Sequence, residues 1–104
     1  MNATFWIQID GNPIAVDDVN VWATWISDPD NKIVRKTDVG ETEVSTVFLG
    51  VNHNFRDEGP PILYETLVFG GPLDQEMWRY ATREAAEAGH EAMVKRVQDA
   101  QAAS

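Results

Sequence analysis

Two apolar, β-branched runs, VSTVFLGV at residues 44–51 and ILYETLVF at 62–69, flank a polar loop, NHNFRDEGPP, and a long stretch rich in alanine and glutamate follows. Runs of that length, bounded by Gly, Pro and Asn, read as strands, and the alanine-rich stretch reads as a helix. Val47, Phe48 and Leu49 are apolar on both strand faces, which marks a central strand. Strands followed by a helix, without βαβ alternation, define an α+β fold.

The remainder of the chain fits around that unit. Residues 4–9 (TFWIQI) form a first strand, Asp10-Gly11-Asn12-Pro13 a turn, and residues 14–16 a short returning strand. Asp17 is the expected cap of a helix whose apolar stripe is Val19, Trp22, Ala23 and Ile26, with Trp25 beside it and Asp18 at the positive end of the helix dipole. The run Ser27-Asp28-Pro29-Asp30-Asn31 ends it. Residues 32–38, carrying Lys32, Arg35 and Lys36, make a solvated edge arm that turns near Gly40 into the arm at 43–51. After Gly70-Gly71-Pro72, residues 76–81 form a last short strand. Thr82 caps a final helix over 83–101, whose stripe is Ala85, Ala88, Ala92, Met93 and Val97, and the tail AQAAS is expected to fray. Gly89 inside that helix costs about 1 kcal/mol relative to alanine, so either another group approaches closely or the helix is weak there. The expected architecture is one domain over residues 1–104: a mostly antiparallel sheet of about four to five strands with a helical layer of two helices on one face. The other face is then open for dimerisation or docking.

At 104 residues the chain hides roughly 65% of the surface its unfolded form exposes, enough for one modest core. The formal charge of −9 repels phosphates, which argues against direct nucleic-acid binding; an acidic surface of this kind commonly serves solubility, and the alternative is recognition of a basic protein partner. No Lys or Arg precedes Lys32, whereas Asp10, Asp17, Asp18, Asp28 and Asp30 all do. The absence of cysteine excludes disulfides and thiol chemistry and fits a reducing cytosol. The start MNATFWIQID lacks the basic and long apolar segments of a signal peptide, and no apolar run approaches the roughly 20 residues of a membrane span.

Few residues carry a signal for chemistry. His53, where a central strand enters the loop, is either an acid–base group or a turn-holding residue, and the flanking Asn52 and Asn54 favour the turn. Glu65 shares a strand face with Leu63, Leu67 and Phe69; if that face is inward it needs a partner among Arg56, Arg79, Arg83 and His53, and if Tyr64 and Thr66 face inward it lies in water. His53 with Glu65 is the candidate polar site. Adding His90 would complete a two-His-one-carboxylate metal set, but no supporting spacing is present, and no metal or other cofactor is expected. Asp28-Pro29-Asp30-Asn31 lacks the glycine and distal glutamate of a calcium loop. Ser27, Ser45 and Ser104 have no nucleophile-elbow context. Trp22 and Trp25 are one helical turn apart; one suits the core, and the other, if exposed, is a binding anchor beside Asp17, Asp18, Asp28 and Asp30.

The strings VSTVFLGVNHNF, GPPILYETLVFGG and RYATREAAEAGHEAMV, spread over residues 43–97, resemble a group of small, largely uncharacterised proteins encoded by bacteriophages and prophages. That group carries an acidic residue beside the histidine where this chain has Asn52, which weakens an acid–base pair in the loop. The resemblance implies a protein made in the cytoplasm of a bacterial host. The leading expectation is a non-enzymatic phage accessory protein that binds a protein partner, in its most concrete form an anti-CRISPR-like inhibitor of a nucleic-acid-targeting defence. The alternatives are a homodimeric assembly or regulatory protein and, last, a small hydrolase using His53 and Glu65.

Overall fold

The structure is a computed structural model and describes residues 3–56 and 58–103; Ser104 lies outside them. Strands β1 (Phe5–Ile9) and β2 (Asn12–Val16) form a hairpin, followed by α1 (Val19–Ile26) and a 3-10 turn at Pro29–Asn31. Then come β3 (Ile33–Val39), β4 (Thr42–Phe48), β5 (Tyr64–Phe69), β6 (Met77–Tyr80) and α2 (Arg83–Ala103). The hairpin is one antiparallel sheet and β3-β4-β5-β6 a second, in chain order. The α+β class, the antiparallel sheet and the helix packed upon it are as the sequence predicts.

The first helix is capped by Asp18 rather than by Asp17: the Asp18 carboxylate accepts from the backbone N–H groups of Asn20 and Val21. One cap is enough to satisfy the first exposed donors, and the residue after it starts the helical turn. Asp28 caps the 3-10 turn in the same way, accepting from Asp30 N. That turn is the helix terminator expected from Pro29.

Register decides which side of the large sheet is buried. Val44 pairs with Val68, Thr46 with Thr66 and Phe48 with Tyr64, and all six side chains point at α2 and are buried. Glu65, Leu67 and Phe69 therefore lie on the opposite face, the arrangement that leaves Glu65 away from the core. An irregularity between Ile33 and Arg35 breaks the alternation in β3, so that Val34 joins the core while Arg35 reaches Glu91 of α2.

The stripe that α2 buries is Ala86, His90, Met93 and Val97, not the expected Ala85, Ala88 and Ala92, which are exposed; only Met93 and Val97 are common to both. The spacing of four, three and four is one face of a helix. The core is divided in two. Val44, Val68, Met93 and Val97 form one apolar cluster, and Phe48, Leu63, Tyr64 and Ala86 form the other. Between them runs a polar layer of Thr46, Thr66 and His90. The C-terminal tail does not fray as expected. It stays helical to Ala103, held by Gln101 Nε2, which donates to Val39 O at 2.8 Å and Thr42 Oγ1 at 3.1 Å.

Candidate functional site

Two surfaces were singled out by the sequence, the histidine loop and the acidic helix, and both are organised around Gly50. The N–H of Trp6 and the indole N–H of Trp22 each donate to Gly50 O, at 2.9 and 2.8 Å. Asn52 N donates to Thr4 O at 2.9 Å. The β1–β2 hairpin and α1 are thus pinned to the end of β4, where the loop departs. Gly50 has φ of +74°, and a Cβ there would lie 2.5 Å from Ile26 Cδ1. Gly50→Ala is expected to cost about 1–2 kcal/mol through the left-handed backbone and the displaced Ile26. The measurement is urea unfolding with tryptophan fluorescence, and the loss is expected to be accompanied by faster amide exchange in α1 than in α2.

The loop is braced by its own side chains. Asn52 Oδ1 accepts from Asn54 N at 2.8 Å and Ile62 N at 3.0 Å, joining the two ends of the loop. Asn54 Oδ1 accepts from Arg56 N at 3.1 Å, and its Nδ2 donates to Glu58 O and Pro60 O at 3.2 and 2.8 Å. Asparagine side chains here replace the backbone hydrogen bonds that strands would supply. His53 Nδ1 lies 2.9 Å from Val51 O; a carbonyl only accepts, so Nδ1 carries a proton and donates it there. This is the turn-holding role expected of His53. The bracing leaves Phe55 84% exposed, its ring 5.9 Å from that of His53. His53, Phe55, Arg56, Pro60 and Ile62 line an open cleft of about 760 Å³.

Glu65 does not line this cleft. It accepts from Arg79 Nε at 3.0 Å across β5 and β6. The two halves of the candidate acid–base couple are therefore engaged elsewhere, His53 with a carbonyl and Glu65 with a guanidinium, and the couple is not formed.

His90 is fully buried and bonded at both ring nitrogens. Tyr80 Oη donates to Thr66 Oγ1 at 3.0 Å, Thr66 Oγ1 and Thr46 Oγ1 are 2.6 Å apart, Thr46 Oγ1 is 2.7 Å from His90 Nδ1, and His90 Nε2 is 2.8 Å from Thr37 Oγ1. Each hydroxyl has one proton. With Tyr80 donating, the chain runs in one direction if Thr66 gives to Thr46, Thr46 to Nδ1, and Nε2–H to Thr37. The ring is then neutral and fixed in one tautomer. Burial holds its pKa below the ordinary histidine value; the Arg35 guanidinium acts in the same direction and Glu91 against it. This is a structural layer, and it takes His90 out of the two-His-one-carboxylate set. Among the described residues no three His, Cys, Asp or Glu side chains gather as metal ligands.

The two helix tryptophans have different fates. Trp22 turns inward, bonded to Gly50 and packed on Phe5 with ring centroids 4.8 Å apart. Trp25 meets the core edge-on at Phe48, centroids 5.5 Å apart and planes perpendicular, while its remaining surface lines a shallow hollow of about 650 Å³ with Val21, Thr24, Asp28 and Asn31. Every residue of α1 is at least partly exposed. Asp17, Asp18, Asp28 and Asp30 are all exposed around it.

Phe55 and the His90 layer were not foreseen. Phe55 had a signal, a lone aromatic among turn-forming polar residues. Thr46 and Thr66 had none, because threonine is an ordinary strand residue. No protein-family model, curated protein or solved structure matches this chain. No helix among the described residues is long and apolar enough to cross a membrane.

Proposed function

We propose that this protein acts by binding a partner protein with a basic surface, through α1 and its acidic surroundings. The observation that carries the reading is Trp25, an indole fixed against Phe48 on one edge and open on the other, in a hollow rimmed by Asp28. A large, rigid aromatic whose orientation is already set loses little entropy on binding and suits an interface centre. Asp17 and Asp18 precede α1 and Asp30 follows it, all exposed, and no Lys or Arg comes before Lys32 in the sequence. Their field accelerates encounter with a basic surface, and the desolvated indole slows release. Phe55, at the tip of a loop that leaves the sheet beside the α1 dock, is a second anchor.

The finer reading is a phage or prophage accessory protein that occupies the basic groove of a host nucleic-acid-targeting effector, as an anti-CRISPR-like inhibitor does. It rests on the resemblance across residues 43–97 together with the charge. Affinity capture from a bacterial host with mass spectrometry supplies the candidate effector, and binding kinetics test the mechanism. Trp25→Ala is expected to speed dissociation by about 10-fold or more. Raising salt from about 50 to about 500 mM is expected to slow association by a similar factor. A complex indifferent to both changes would sink the proposal. Trp22→Ala is a poor probe, because it breaks the contact with Gly50 that seats the helix.

A further inference from the structure

We infer that the face of the four-stranded sheet opposite α2 is a twofold self-association surface whose occupant is a second copy of this chain. The face is independent of the α1 surface. It carries Ile33, Phe69 and Met77 at 38, 44 and 46% exposed, with Val47 and Leu67 between them. Lone exposed apolar residues need no explanation, but a contiguous patch on one sheet face does.

Charge identifies the occupant. The strand pairings place Lys36, Asp38, Glu43, Glu65 and Arg79 on this face, and Lys32 stands at its rim. Three cations and three carboxylates cancel, so the chain's formal −9 lies wholly on the rest of the surface. Lys36 pairs with Glu43 at 3.7 Å and Arg79 with Glu65 at 3.0 Å. On a chain of formal −9, two copies meet on this apolar face without net repulsion. A strongly charged partner of either sign gains no net attraction here, whereas a second copy, neutral on this face, meets no net repulsion.

The shape agrees. Lys36, Ser45, Leu67 and Met77 form one row across the sheet. A twofold axis running along the strands, between β4 and β5, reverses that row, so that Met77 of one copy lies over Lys36 of the other. There it meets a hollow of about 370 Å³ whose lining includes Ile33, Lys36, Ser45, Val47 and Phe69. Four strands at about 4.8 Å spacing and six residues at about 3.3 Å give a patch of about 400 Å². A standard stable interface buries about 800 Å² per partner, twice this patch, so the contact is weak and forms only at high concentration.

Sedimentation velocity over about 5–500 μM tests this. The expected result is a monomer at the low end converting to a dimer, with Met77→Lys and Phe69→Lys each remaining monomeric and folded by circular dichroism. Val21→Lys, on the exposed side of α1, is expected to dimerise as the parent does. In the unmodified chain the methyl resonances of Met77 and Leu67 should move with concentration while those of Val21 stay fixed, a readout that does not depend on any variant folding. A chain that stays monomeric throughout, or a dimer that survives Met77→Lys with fixed Met77 and Leu67 resonances, overturns the inference.

Discussion

Replacing His90 with alanine is expected to lower the stability of the domain by about 2–4 kcal/mol, a large share of the 5–15 kcal/mol typical of such folds. The loss has two sources. The imidazole leaves a cavity between the two apolar clusters, and the hydroxyls of Thr46 and Thr37 each lose a buried partner. Removing both ends of a bond costs less than stranding one. A chain with Thr46→Val added to His90→Leu should accordingly lose less than the sum of the single changes, as chemical denaturation of the four members of that cycle would reveal. The neutral ring also makes stability depend on pH. The unfolded chain takes up a proton at His90 near the ordinary value of 6.5, whereas the native chain resists it. The unfolded state therefore binds more protons as pH drops below that value, and the stability contributed by the neutral ring, fully present above it, is lost with falling pH. The slope reaches at most about 1.4 kcal/mol per pH unit. Unfolding midpoints between about pH 7.5 and about pH 5.5 should show this slope in the parent and a smaller one in His90→Gln. Equal slopes would mean that the ring is not held neutral. The groups facing it from the sheet are Thr37, Thr46 and Arg35; the first two are uncharged and the guanidinium opposes protonation, while Glu91, its neighbour on α2, opposes that shift.

Gly89→Ala, one residue earlier, should destabilise the protein although it improves the local helix. Alanine gains about 1 kcal/mol of helix propensity over glycine. A Cβ at this position, however, would overlap Tyr80 at Oη, Cε1 and Cζ. Tyr80 is not free to step aside, because its hydroxyl donates to Thr66 and its ring packs against the cluster of Phe48, Leu63 and Tyr64. Overpacking and the lost bond together outweigh the propensity gain, leaving a net cost of about 2–3 kcal/mol and a melting temperature lower by about 10–20 °C. In a Tyr80→Leu background, where the ring atoms are gone, the same change should be neutral or stabilising. A thermal melt of the two pairs separates steric from helical effects, and stabilisation in the parent would refute the close approach.

How far each feature was legible depended on the range of the interactions behind it. The Asp10-Gly11 turn, the helix stop at Pro29 and the Thr82 cap were read from neighbours in the chain, and each lies where it was expected. The shift from Asp17 to Asp18 as the first cap is a one-residue error between two equivalent side chains. The role of His53 as a turn holder was legible for the same reason: its partners are two residues away. By contrast, Glu65 and His90 could not be placed from their neighbours, because their partners are 14 to 53 positions distant. In β5 both parities looked acceptable. Leu67 and Phe69 make the outward set seem the more apolar, and Thr66 makes the inward set seem the less.

By itself, then, the order of residues determined the elements, their turns and the excess of negative charge, since backbone preference and titration follow from residue type and near neighbours. Only the tertiary structure decided which face of each strand is dry, which tryptophan bonds Gly50 and which packs on Phe48, and why a histidine lies at the centre of the core. A period of two in a strand is symmetric between its faces; the tie is broken where α2 lands, and α2 lands where His90 finds Thr46 and Thr37 and where Gly89 clears Tyr80.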